Sequence, residues 1–239
     1  MKLRRSILFL FALAAGLLCS GDLWAQNVTV RPKVTVYHRK LPIADFKRTF
    51  TIRRPIVTAR SPQLSKLITA AVDPVSILEI DIKDEINQTQ WLTAADYRIV
   101  LNSRGVLSVE VWMEGVGAYP DGVTRWVVVD TANGLSVAAR DVFTDLEKLA
   151  ARIKRMQTAE VQKVKAAEPD SADLLSGADF TVADLDKFSV DARGVVFHYE
   201  YGFPHVAKAL EPAGEFRLSW RQVKPFVKRG GLLERFVRR

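Results

Sequence analysis

The sequence predicts an α+β fold in which a mainly antiparallel sheet carries helices packed against it as a single domain. Three observations lead there. Stretches rich in β-branched and aromatic residues recur between turn signals, apolar residues with helical spacing follow two proline-marked helix starts, and no internal repeat or flexible linker divides the pieces. At 239 residues, 48% hydrophobic and 26% charged, the chain is long and apolar enough to bury a core.

Taken in order, residues 1–25 read as a secretory signal. Lys2, Arg4 and Arg5 precede an apolar run from Ile7 to Cys19, and Leu23-Trp24-Ala25 makes a cleavage site before Gln26. That run is well short of the ~20 residues needed to span a bilayer, so no retained transmembrane segment is expected. Leu18 is too bulky for lipoprotein processing at Cys19. Residues 26–239 then form the single exported domain, periplasmic or secreted, and cleavage removes the chain's one cysteine. The charge balance of 35 Lys+Arg against 27 Asp+Glu gives +8. In an exported protein this suits an anionic envelope, and no nucleic-acid partner is expected.

Val28, Val30, Val34 and Val36 alternate as a strand does, and Phe50 to Pro55 reads as a second strand closed by its proline. Ser61-Pro62 starts a helix with Leu64, Leu67, Ile68, Ala71 and Val72 on one face, and Asp73-Pro74 starts another through Ile77, Leu78, Ile82 and Ile86. A meander follows: Tyr97 to Leu101, Val106 to Met113 and Val123 to Val129, separated by Asn102-Ser103-Arg104-Gly105 and Pro120-Asp121-Gly122. A long helix over Asp145 to Ala167 turns Leu146, Leu149, Ile153, Met156, Val161 and Val164 inward. Residues 166–186 read as a loop with short helical turns. A hairpin of Lys187 to Val190 and Val195 to Tyr201, a strand at Phe216 to Leu218 and a short helix capped by Ser219 complete the domain.

Chemistry is sparse. There is no Gly-x-Ser-x-Gly elbow, no phosphate-binding glycine loop and no His-Glu-x-x-His. His198, Glu200 and His205 offer the ligand types of a catalytic zinc, so an envelope-associated hydrolase is the alternative reading, but their spacing is not diagnostic. On the plainer reading, His198 and Glu200 form the polar outer face of a strand whose inner face is Phe197, Tyr199 and Tyr201. No catalytic residue, metal or cofactor is therefore assigned. The segments around Tyr119 and Tyr201 place aromatic, Gly and Pro residues where strands end. Tyr119, Pro120, Arg125, Tyr201, Phe203 and His205 are the contact candidates, since aromatic surface beside a cation suits sugar rings or a protein partner. Against this stands the reading that the tyrosines and Phe203 plug the edge of the core.

Several strings, in order, resemble a family known mainly as a domain of unknown function. They include Phe50-Thr51-Ile52-Arg53-Arg54-Pro55, Gly117-Ala118-Tyr119-Pro120, Val129-Asp130-Thr131-Ala132-Asn133-Gly134, Arg140-Asp141-Val142-Phe143, Val196-Phe197-His198-Tyr199-Glu200-Tyr201 and Ala213-Gly214-Glu215-Phe216. The family includes the extracytoplasmic domain of lysozyme-sensing anti-sigma factors and a domain beside some peptidoglycan deacetylases. The resemblance, over about Phe50 to Leu233, implies a non-enzymatic exported binding module at the bacterial cell envelope. Its partner would be an envelope protein such as a muramidase, or peptidoglycan glycan.

Overall fold

The computed structural model describes residues 27–40, 48–88, 91–116, 120–169, 179–203 and 205–238. Residues 1–25, read above as a secretory signal, and Tyr119 lie outside them. Among these described residues, nine strands form two sheets. The larger has six strands in the order β1 (Thr29–His38), β2 (Thr49–Thr58), β3 (Leu92–Ser103), β4 (Val106–Val116), β5 (Pro120–Asp130) and β6 (Leu135–Ser136). The smaller holds β7 (Phe188–Val190), β8 (Gly194–His198) and β9 (Glu215–Ser219). Among the described residues only β2 and β3 pair in parallel, at Thr51–Ala94 and Ile52–Ala95. The mainly antiparallel α+β domain read from the sequence is therefore present, divided between two sheets.

Three helices make the crossover between β2 and β3: α1 (Pro62–Ala71), α2 (Pro74–Ile77) and α3 (Ile82–Asn87). Ser61 caps α1 by accepting the Leu64 N–H at 3.2 Å, and Asp73 does the same for α2 from Val75. Losing the first of these caps in Ser61→Ala is expected to cost about 1 kcal/mol, measurable by urea unfolding. The second helical stretch does not run on through Ile82 as its spacing suggested. Glu79 adopts a φ of 53°, and Asp81 caps α3 by accepting from Asp84 at 2.9 Å. Leu67 points outward, 50% exposed, where the stripe had placed it inside.

Nor does Pro55 close β2. It lies opposite Pro32 of β1, and the next N–H but one, that of Val57, points away from β1 to the Thr69 hydroxyl on α1. The N–H that Pro55 lacks would point the same way, so the β1–β2 ladder loses nothing there. The β3–β4 turn places Arg104 and Gly105 both at positive φ (52° and 79°), as a two-residue type I′ hairpin requires.

Alternation along β4 and β5 divides the core in two. Leu107, Val109, Val111 and Val129 face α1 and α2, packing with Leu64, Ile68, Val72 and Leu78. Val106 and Val128 face the other way, into a larger cluster with the small sheet and the long helix α5 (Leu146–Ala167). Leu149 and Ile153 of α5 are buried there with Phe143, Phe188, Phe197 and Leu218. Between α5 and β6 lies α4 (Ala139–Val142), where Asp141 accepts from the Ala138 N–H. After β9 come α6 (Trp220–Val223), a 3₁₀ turn at Lys224–Phe226 and α7 (Glu234–Val237). The last helix is clasped to the β3–β4 turn. Arg104 and Arg235 each donate to the other's carbonyl, at 3.0 and 2.9 Å, and Arg104 sits over the Phe236 ring, itself stacked on Trp220.

Candidate functional site

The outer edge of the large sheet on the β5 side is mostly open. β6 covers only Val129 and Asp130, and among the described residues no strand pairs with the outer edge of β5 between 120 and 127. Because Val128 turns its carbonyl outward to the Val137 N–H, strand geometry turns the backbones of Gly122, Thr124 and Trp126 outward as well. Local side chains occupy part of this edge. Asp121 accepts the Gly122 N–H at 2.8 Å, and Arg125 donates to the Thr124 carbonyl at 2.8 Å.

The small sheet supplies the facing wall. Its strand β8 stops at His198, not at Tyr201 as the alternation suggested, and the chain turns at Gly202, whose φ is 64°. Residues 198–202 and 208–215 thus stand beside β5 and enclose a cleft of about 420 Å³. Arg125 and Glu200 bridge it at 2.8 Å, with both side chains about half exposed. Lys208 and Glu211 pair at 2.5 Å along the opposite rim, where Glu211 also accepts the Gly202 N–H.

His198 and Trp126 close one side. Their rings lie 3.7 Å apart and within 4° of parallel, joining the two sheets face to face. His198 is 5% exposed and bonds Ser189 through Nε2 at 2.9 Å. Burial, reinforced by the cations Arg217 and Arg98, pushes its pKa from 6.5 down to about 3, so the ring is neutral near pH 7. Arg217 is held by Asp191, and Arg98 by Glu110 at 2.5 Å. His198 Nδ1 and Trp126 Nε1 are both buried without a hydrogen-bond partner among the described residues. His198 is thus an inter-sheet residue, and the expected outer strand face of His198 and Glu200 is not formed.

The contact candidates divide. Arg125 is on the cleft. Pro120 opens β5 opposite Val116, and His205 opens a 3₁₀ turn over residues 205–210. Tyr201 and Phe203 are 6% and 5% exposed, and the Tyr201 ring packs on Tyr199 at 5.1 Å and on Phe203 at 5.3 Å. The Tyr201 hydroxyl donates to Glu160 of α5 at 2.7 Å, and burial together with that carboxylate raises its pKa. The segment from Tyr199 to Gly202 therefore faces Asp121 to Trp126 of β5 across the cleft, with the rings of Tyr201 and Phe203 turned into the core. Trp126 and Ser189 escaped the sequence reading. Trp126 was discoverable, because alternation with Val123, Val127 and Val129 puts it on the opposite face from those core valines. Among the described residues no three His, Cys, Asp or Glu side chains gather to hold a metal. Nor, among those residues, is any helix long and apolar enough to cross a membrane.

No known family and no curated protein matches the chain by sequence. Solved structures do match. A DUF3298 family member from Bacteroides fragilis aligns over 87% of this chain and 100% of its own, with a TM-score of 0.52 at 13% identity. The chain shares the fold of DUF3298 proteins. A second such protein, from Pseudomonas aeruginosa, aligns over 86% of this chain and 96% of its own, with a TM-score of 0.54 at 11% identity. The DUF3298 fold is that of an uncharacterised domain family, in keeping with the kind of family the local strings resemble. At these identities the likeness concerns the fold, and the cleft is read from this chain's own residues.

Proposed function

We propose that this protein is an exported binding module of the bacterial cell envelope that takes a protein partner along the open edge of β5. The observation that carries the reading is an unpaired strand edge forming one wall of a polar cleft. Such an edge offers backbone donors and acceptors at the spacing of an extended chain, and β-strand addition uses them. The leader-like order of residues 1–25 supports export. The resemblance to the lysozyme-sensing domain brings a muramidase as the partner class to try first. Peptidoglycan glycan is the weaker candidate, because the rings of Tyr199, Tyr201 and Phe203, which would stack on sugars, are buried. The geometry also argues against the hydrolase reading: His198 Nε2 is engaged by Ser189, while Glu200 turns to Arg125.

The Arg125–Glu200 bridge spans the entrance, and an exposed pair of this kind costs only about 0–1 kcal/mol to open. Arg125→Ala is therefore expected to leave stability within about 0.5 kcal/mol of wild type while altering partner affinity. Thr124→Pro removes an outward N–H and blocks strand addition, and a sheet edge tolerates it. Calorimetric titration with a muramidase should show saturable binding that Thr124→Pro weakens at least tenfold. Binding to insoluble peptidoglycan alone, or muramidase binding indifferent to Thr124→Pro, would overturn the reading.

A further inference from the structure

A second groove, remote in the fold from the β5 cleft, lies between the β1–β2 ribbon and α1 and has a volume of about 360 Å³. Its charged lining is mostly cationic. Lys33 comes from β1, Arg54 from β2 and Lys66 from α1, with Asp73 as the one carboxylate. Lys33 and Arg54 are direct cross-strand partners, a placement in which like charges destabilise a sheet. Asp73 offsets this only in part. It stands 3.6 Å from Arg54 and already accepts the Val75 N–H. Neither lysine has a carboxylate partner among the described residues, and the Arg54 Nε is buried there without an acceptor.

Thr69 adds to the imbalance. Its oxygen accepts from the Val57 N–H at 3.0 Å, leaving the hydroxyl proton directed elsewhere. Lys33 on its own fits the protection of an edge strand, since Pro32 and Arg31 beside it serve the same end. Lys66 is on a helix and Arg54 is the inward partner of Lys33 on β2, so edge protection does not explain why all three converge. A groove lined by excess donors, with a repulsive pair at its centre, is suited to an oxyanion that neutralises the pair. Ile56 and Val57 supply an apolar flank, so the groove has room for more than the anion itself.

We infer that this groove binds a phosphate group through Lys33, Arg54 and Lys66. The phosphate is either free or carried on a lipid headgroup at the envelope surface, and two probes distinguish these sources. Thermal melts of the purified protein are run against inorganic phosphate, with chloride holding ionic strength constant. Sedimentation is run with vesicles of phosphatidylglycerol or of phosphatidylcholine. Phosphate is expected to raise the Tm, or phosphatidylglycerol vesicles to retain the protein over phosphatidylcholine ones. Lys33→Gln with Lys66→Gln should weaken that response at least tenfold. Because the double variant also relieves the Lys33–Arg54 repulsion, it should melt no lower than wild type without ligand. An undiminished response in the double variant, an equal shift from chloride alone, or no response to either probe would overturn the assignment.

Discussion

Replacing Trp126 by alanine is expected to lower the unfolding free energy by about 3 kcal/mol, toward the lower end for removal of a large aromatic, because Trp126 is only partly buried. The second consequence is more specific. Trp126 lies flat against His198, and burial is the main reason that ring titrates at about 3. Without the indole, water reaches the imidazole and its pKa should move up toward 6.5. Proton NMR of the imidazole resonances measures this directly, since the chain has only three histidines. A variant that loses stability while His198 still titrates near 3 would show that the stack is not what keeps the ring dry.

The second large effect is on acid stability. In the unfolded chain His198 takes up its proton near pH 6.5, and in the folded protein only near pH 3. Between these values the unfolded state holds more protons, so stability falls as pH falls through that window. Above pH 6.5 the contribution is whole. The shift corresponds to about 5 kcal/mol at its limit, enough to unfold a domain of ordinary stability. Urea unfolding at pH 7.5 and pH 4 is expected to show about 3 kcal/mol of that loss in wild type, the part that falls above pH 4. His198→Phe, which keeps a flat ring beside Trp126 but cannot titrate, should flatten the slope although its stability at pH 7.5 is lower for want of the Ser189 bond. Equal slopes in the two proteins would assign acid sensitivity to other groups. Asp191 is the next to consider, its carboxyl held low because the Arg217 bond and two backbone donors outweigh its burial.

What could be read from the sequence follows the range of each interaction. Ser61 and Asp73 announce helices through contacts two or three residues away, and the Arg104-Gly105 turn announces a hairpin through its own backbone. Pairings at that distance leave a pattern in the chain. Pro55 misled because the groups that excuse it, Pro32 and Thr69, lie elsewhere in the sequence. The cleft shows the same limit. The Arg125–Glu200 bridge spans 75 positions, and no period encodes it. Tyr201 and Phe203 lie past the end of β8, in neither strand nor helix, so alternation could not say which way their rings turn. His198 was misplaced because a short strand of a second sheet has both faces covered, and all five residues of β8 are buried.

The clasp between Arg104 and Arg235 bears on when the protein can fold. It joins the β3–β4 hairpin to α7 across 131 positions. The β3–β4 turn forms from neighbouring residues and is available early, but its seat against Phe236 exists only once the C-terminal residues have been delivered. Consolidation of that turn thus waits on α7. Until α7 reaches it the turn has shape but no anchor, and the contact between them is a late, long-range step of folding.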